Sequence, residues 1–300
     1  MKIAVIGMGL IGASLSRAIL KNTEHEVYGF DIDAAVLKRA DELGAHTRAL
    51  CEDDYKNIDL AIFALCPDTA IKQMKSVCPK LKDGAIVADT CGNKRVIMRD
   101  MCALKKQYPA LNFVGTHPMA GKERGGIENS TSELFQGAYV ILVPANGNIS
   151  EEEYYSADEN STAYDDNSAI GVVRKLYLSI GAKGIEICSA ERHDEMIAYT
   201  SQLAHVVSSC YVQNPRSKSH VGFSAGSFAD LTRVARLNPD MWTELFLQNK
   251  DNLVDCIDDI SARLENIKSA LTDGDGERLK AILAYGTDCK EIADGKKEKK

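Results

Sequence analysis

The opening stretch KIAVIGMGLIGAS narrows the choice of fold more than any other part of the chain. A short apolar run ends at Gly7, and Gly7, Gly9 and Gly12 follow in the pattern G-x-G-x-x-G, leading into residues spaced as in a helix. The first glycine permits a tight turn, the second lets backbone approach a pyrophosphate, and the third lets helix and strand pack closely. A helix starting there offers unpaired N–H groups and a partial positive charge to phosphate. The stretch predicts a strand–turn–helix unit holding a dinucleotide, with Gly7, Gly9, Leu10, Ile11 and Gly12 lining it. The next apolar run, EVYGFD, ends in Asp31. A carboxylate at that point accepts hydrogen bonds from the ribose hydroxyls and repels a 2′-phosphate, so the expected cofactor is NAD rather than NADP.

The alternation continues. LAIFAL, AIVADT, NFVGTH and YVILVP read as buried strands, while IGASLSRAILKN and AAVLKRADELG carry apolar residues at helical spacing. Such alternation predicts an α/β, Rossmann-type, doubly wound sheet over residues 1–188, completed by a helix, AIGVVRKLYLSIG, and a last strand, KGIEIC. Residues 146–168 are acidic, rich in Ser and Asn and without an apolar seam, and read as a polar surface insertion. Residues 189–294 read as an all-α C-terminal domain, and 295–300 as a solvated basic tail. Between Pro239 and Asp273, apolar residues from Trp242 to Leu271 recur at steps of three, four and seven, which predicts one long helix with one continuous stripe. A stripe of that length needs a long partner, so the expected assembly is a homodimer through the helical domain.

A net charge of -7 argues against nucleic acid as a partner. No stretch reaches the roughly 18 apolar residues of a spanning helix, so no membrane partner is expected. The nine cysteines show no metal-ligand spacing and fit reduced thiols in a cytoplasmic protein.

In a doubly wound sheet, ligands sit at the carboxyl ends of the strands. Three further strands end in polar or turn-forming groups: LCPDT, with Leu65 and Cys66 beside the cofactor, DTCGNKR and THPMAGKE. If they share one sheet, Lys94, His117 and Glu123 converge near the nicotinamide. A neutral imidazole at such a place is a base suited to neutral pH.

Together these segments resemble the prephenate dehydrogenase family. GTHPMAGKERGG is similar to its H-P-M/I-A-G-x-E segment, and ERHDEMIAYTSQLAHVVSS to its H-D followed by S-H-L-P-H. FADLTRVARLNPDMWTELFLQNK resembles its D-x-T-R-(x)8-W segment, and the matches run in order from Ile3 to about Lys250. The resemblance implies NAD-dependent oxidative decarboxylation of prephenate, a small-molecule substrate, to 4-hydroxyphenylpyruvate in tyrosine biosynthesis. It implies His117 as the base, Arg233 as the carboxylate-binding group oriented by Asp230, and His205 meeting substrate from the helical domain. Glu123 hydrogen-bonds substrate or gates the cleft, and Lys94 belongs to the same substrate side. The same chemistry on arogenate, and a non-catalytic NAD-binding regulator, are the alternatives. A β-hydroxyacid dehydrogenase would need a lysine in the helical half, and residues 189–214 contain none.

Two departures from the family pattern stand out. Gly92 replaces the serine that would hydrogen-bond the catalytic histidine, and Gln202 and Ala204 replace His and Pro of S-H-L-P-H. His117 is then expected to be oriented by water or by the neighbourhood of Thr116 and Lys94. His193 with Asp194 reads as the first turn of a helix, with a structural role.

Overall fold

The computed structural model describes residues 1–145 and 167–297. Most of the surface insertion read over 146–168 therefore lies outside the described residues. Its last residue, Ser168, is visible as a helix cap, accepting a hydrogen bond from the Gly171 N–H.

Eight strands form one sheet: β1 (Lys2–Ile6), β2 (Glu26–Phe30), β3 (Arg48–Ala49), β4 (Leu60–Phe63), β5 (Ile86–Asp89), β6 (Asn112–Pro118), β7 (Tyr139–Pro144) and β8 (Gly184–Ile187). Their order is β3-β2-β1-β4-β5-β6-β7-β8. Strand order reverses between β1 and β4, the kind of switch point at which doubly wound sheets bind ligands outside the carboxyl ends of their strands. All pairs are parallel except β6 and β7, which run antiparallel with His117 opposite Ile141. The expected all-parallel sheet is corrected at β7 and β8, which both run opposite to the other six strands, because an apolar run carries no information about its direction. The two-residue β3 is too short to leave a sequence pattern.

Period-two alternation sends successive side chains of β1 to opposite faces. Ala4 and Ile6 join the core beneath α3 (Pro67–Val77) and α4 (Arg95–Gln107), alongside Met74, Val77, Ile97, Met101 and Leu104. Ile3 and Val5 join the opposite core with Leu15 and Ile19 of α1 (Leu10–Asn22) and Val173, Leu176 and Tyr177 of α5 (Ala169–Ser179). Because both faces are covered, the central strands are apolar throughout rather than alternating. One further helix, α2 (Ala34–Glu42), follows β2.

After β8 the chain is helical. α6 (Ala190–Ile197) runs directly into a wider π-helical turn, Ala198–Gln202, and on into α7 (Leu203–Val212). α8 (Gly226–Thr232) and α9 (Pro239–Gln248) follow.

The single helix expected between Pro239 and Asp273 is interrupted at Asn249, whose backbone leaves the helical region (φ -121°, ψ 28°). The reason lies in its fully buried side chain. The amide donates to the Asp194 carbonyl at 2.8 Å and to Gln202 Oε1 at 2.9 Å, and its oxygen accepts from Arg95 at 2.9 Å. Leaving such buried groups unpaired costs more than breaking one helical turn. The apolar periodicity runs on through the break and conceals it.

The break is also a boundary between compact units, Met1–Asn249 and a second starting at Lys250. The second unit pairs α10 (Lys250–Thr272) with α11 (Gly276–Ala293), which Asp275 caps by accepting from the Arg278 N–H. Val254, Leu264, Leu271, Leu283 and Tyr285 of this unit are exposed by half or more. Among the described residues, no helix is long and apolar enough to cross a membrane. All nine cysteines are free thiols.

Candidate active site

The glycine turn after β1 is built for a ligand that touches backbone. Gly7 holds φ at +98°, and a Cβ there would lie 2.4 Å from the Ala64 carbonyl oxygen and 2.7 Å from a Leu65 methyl. A Cβ on Gly12 would fall 1.8 Å from the Gly7 carbonyl, so α1 could not pack on the turn. Gly9, by contrast, faces open space. No side chain caps the start of α1, where Leu10 and Ile11 stand half-buried, and its first turn holds no acidic residue. Its N-terminal N–H groups and positive dipole end are thus left to an anion.

Asp31 is fixed at the rim of this turn. Its Oδ2 accepts from the Met8 N–H at 2.8 Å and its Oδ1 from the Asp33 N–H at 3.0 Å, which leaves a lone pair on each oxygen for a hydroxyl. Asp33 is occupied as the cap of α2. Exposed Cys66 precedes α3 at the end of the neighbouring strand's loop. Turn, open face, uncapped helix and carboxylate fit a dinucleotide.

At the end of β5 the structure corrects the expectation for Lys94. Its side chain does not face a substrate: it is fully buried, with Nζ 2.5 Å from Asp89 Oδ2 and 2.8 Å from the Cys91 carbonyl. Asp89 is equally buried and also accepts from the Cys91 N–H at 2.8 Å and the Thr116 N–H at 3.0 Å. The ion pair pins the DTCGNK turn to β6. Gly115 leaves the room it needs, since a Cβ there would sit 2.5 Å from Met98 Sδ and 3.2 Å from Lys94 Cδ.

His117 lies on β6 between the buried Thr116 and Pro118 and is itself only partly covered. Its Nδ1 is 2.8 Å from His193 Nε2, and His193 Nδ1 is 2.7 Å from Asp194 Oδ1. Both Asp194 oxygens are engaged by α4, accepting from the Lys94 N–H at 2.7 Å and the Arg95 N–H at 2.9 Å. Asp194 thus caps the N-terminus of α4 from another helix.

With the carboxylate charged, His193 donates from Nδ1 and accepts at Nε2. His117 then donates from Nδ1, which leaves a lone pair on its Nε2. Burial pushes the His117 imidazole well below its usual range, and positive charge on His193 or Lys94 would push it further. Burial lowers His193 too, partly offset by the Asp194 hydrogen bond. Burial alone would raise Asp194, but hydrogen bonds from His193 and the Arg95 and Lys94 N–H groups hold it below the ordinary carboxylate range.

The side chain that reaches His117 Nδ1 is a second histidine, not Thr116 or Lys94. Thr116 turns away, its hydroxyl bonded to the Asp89 carbonyl and at 2.9 Å from the Tyr177 hydroxyl. A sequence reading that gave His193 a purely structural place missed this partner. The available signal was two adjacent polar residues, His193 and Asp194, on the face of α6 that buries Ile197.

The helical side supplies a different set. His205 on α7 has Nδ1 2.9 Å from the Val234 carbonyl, and its ring lies 4.0 Å from that of Trp242. Donation from Nδ1 leaves Nε2 as an acceptor. Arg233, directly after α8, is exposed, as are Asp230 and Glu123. Among the described residues no hydrogen bond or ion pair joins Asp230 to Arg233, so the expected orienting contact is absent from this geometry.

Gln202, at the family's histidine position, donates to Asn93 at 2.9 Å, and Asn93 donates to the Leu245 carbonyl at 2.7 Å. A Cβ on Gly92 would meet a Leu245 methyl at 3.4 Å. Leu245 of α9 thus packs at ordinary contact distance beside Gly92.

Comparison with known proteins agrees with this geometry. Residues 15–153 match the family model described as prephenate dehydrogenase, nucleotide-binding domain, and residues 189–285 match prephenate dehydrogenase, dimerization domain. The cyclohexadienyl dehydrogenase of Zymomonas mobilis is 29% identical over 95% of this chain and 96% of its own length. The prephenate dehydrogenase of Bacillus subtilis is 26% identical over 98% of this chain and 75% of its own. The crystal structure of Synechocystis arogenate dehydrogenase, 22% identical, superposes with a TM-score of 0.77 over 98% of this chain and 100% of that one, which shows a shared fold. With both domain models matched in order, the first of them spanning the histidine-bearing strand, the chain belongs to the prephenate dehydrogenase family.

Proposed function

We propose that the chain oxidatively decarboxylates prephenate to 4-hydroxyphenylpyruvate, with NAD as oxidant and His117 Nε2 as base. The observation that supports this most is the line of contacts from His117 Nδ1 to His193 Nε2 and from His193 Nδ1 to the Asp194 carboxylate, from which the His117 tautomer is inferred. A neutral imidazole with its lone pair on Nε2 stands at the carboxyl end of a strand in the same sheet as the glycine turn. NAD, held by Gly7, Gly9, Leu10, Ile11, Gly12 and Asp31 beside Leu65 and Cys66, supplies the hydride acceptor.

The ring carbinol loses its C–H hydrogen with both electrons, while its O–H proton passes to His117. The bond to the ring carboxylate then breaks, releasing CO2, and its electron pair makes the ring aromatic. The resulting phenolate oxygen takes the proton back from His117, so the base ends the cycle neutral.

Arg233 offers a planar guanidinium, suited to two-pronged binding of a substrate carboxylate. His205 Nε2 and Glu123 meet the polar groups that remain. The exposed apolar residues of α10 and α11 are those that a second copy covers in a homodimer, and the nine free thiols suit a reducing compartment, the cytoplasm.

The direct test follows NADH absorbance with purified protein offered prephenate and arogenate separately. Turnover of prephenate is the expected result. Turnover of arogenate alone would replace the substrate and keep the chemistry, and no turnover on either would overturn the enzyme reading.

The pH dependence has a definite sign. The base must be unprotonated, and burial moves its protonation below the ordinary histidine value of about 6.5. The acid limb of kcat/KM is therefore expected below pH ~6.5, with a flat region through neutrality. A limb centred above that value would contradict the buried, neutral base.

A further inference from the structure

We propose that His193, backed by Asp194, is the positioning residue of the base: its Nε2 accepts the Nδ1–H of His117, keeps the lone pair on His117 Nε2, and takes up charge when that nitrogen is protonated. This deepens the reading of His117 as the base and rests on it.

The argument starts from what the chain lacks. Gly92 carries no hydroxyl to hold the histidine, and Leu245 packs in contact beside it. The 2.8 Å contact from His117 to His193 and the 2.7 Å contact from His193 to Asp194 supply an unbroken line of donors and acceptors in its place.

Proton bookkeeping along the line balances. The substrate hydroxyl proton arrives on His117 Nε2, and the Nδ1 proton shifts toward His193 Nε2. The positive charge then rests beside the Asp194 carboxylate, and both protons return when the phenolate is reprotonated. Asp194 is suited to wait beside that charge, because the two α4 backbone N–H groups hold it ionised.

The charged groups around His193 are few: Asp194 on its own helix, His117 on β6, and the buried Lys94–Asp89 pair at the end of β5. Arg95 of α4 lies behind Asp194, with Nε at 3.3 Å. Lys94 is neutralised by Asp89, so the one carboxylate that touches the rings is Asp194, which Arg95 shares, and the pair of rings holds one extra proton, not two.

Two substitutions separate this role from a merely structural one. In His193→Asn the amide replaces Nδ1 and keeps the hydrogen bond to Asp194, hence the α4 cap, but nothing reaches His117. In His193→Gln the side-chain oxygen replaces Nε2 and still accepts from His117. The expected result is a kcat roughly 10–100-fold lower in His193→Asn with KM for NAD unchanged, and a large part of that loss recovered in His193→Gln. The acid limb of kcat/KM should move to lower pH in His193→Asn, because the imidazolium loses its acceptor.

A second readout needs no turnover. Histidine-selective 15N labelling of the free protein should show His117 protonated at Nδ1 in the wild type and mixed tautomers in His193→Asn. Equal kcat and limb position in the wild type and His193→Asn, or a His117 tautomer indifferent to His193, would overturn the proposal. A wild type that fails to turn over, yet shows the His193-dependent tautomer, would sink the substrate assignment and uphold the pair.

Discussion

Replacing His117 with asparagine is expected to lower kcat and kcat/KM together by about 10²–10⁴-fold, the usual contribution of a positioned general base. Asparagine is the informative choice because its amide occupies the place of Nδ1 and can still donate to His193. Only the Nε2 lone pair is lost. The glycine turn and Asp31 follow β1 and β2, away from β6, so NAD should bind as in the wild type, which titration of intrinsic fluorescence would report. A variant that retained kcat within a few-fold would remove His117 from the chemistry. Lost NAD binding would instead show that the substitution had disturbed the sheet.

The second large effect concerns stability. Lys94→Met leaves the Asp89 carboxylate charged, fully buried and without its cation. Breaking a buried pair from one side costs about 3–5 kcal/mol. For a unit of this size that corresponds to a fall in Tm of roughly 6–20 °C, at about 2–4 °C per kcal/mol. Asp89→Asn combined with Lys94→Met removes both charges and keeps an oxygen for the Thr116 and Cys91 N–H groups. It should recover a substantial part of the loss, since neutral replacements of buried pairs are often tolerated. Thermal unfolding of the wild type, both single variants and the double variant measures the coupling directly. If Lys94→Met melts with the wild type, the pair does not hold the turn in place.

These two residues also mark the limits of reading the site from the sequence. His117 was legible because it combined a strand's carboxyl end with a glycine fingerprint upstream, and each has a local signature. Lys94 was visible but misplaced. A lysine in a turn at the ligand-binding edge reads as a substrate contact, and only the fold shows a buried aspartate five residues earlier that claims it. His193 and Asp194 signalled only a polar pair on a buried helix face, not its role, because their partners are a strand and a helix N-terminus remote in sequence. The strands were legible for a physical reason as well: a sheet covered on both faces makes its core strands uniformly apolar, as in KIAVI and LAIF. The reversed direction of β7 and β8 and the interruption at Asn249 were not, since both depend on hydrogen bonds that hydrophobic spacing does not encode.

The wider turn at Ala198–Gln202 has a consequence for geometry along the helix axis. His205 stands twelve positions after His193. At about 100° of rotation per residue, an unbroken α-helix would leave the two about 120° apart around the axis. A π-helical turn absorbs one residue without advancing the spiral, which reduces that separation to about 20°. The turn acts as a phase adjustment, bringing the histidine that braces the base and the histidine tilted against Trp242 onto one bearing of a single rod.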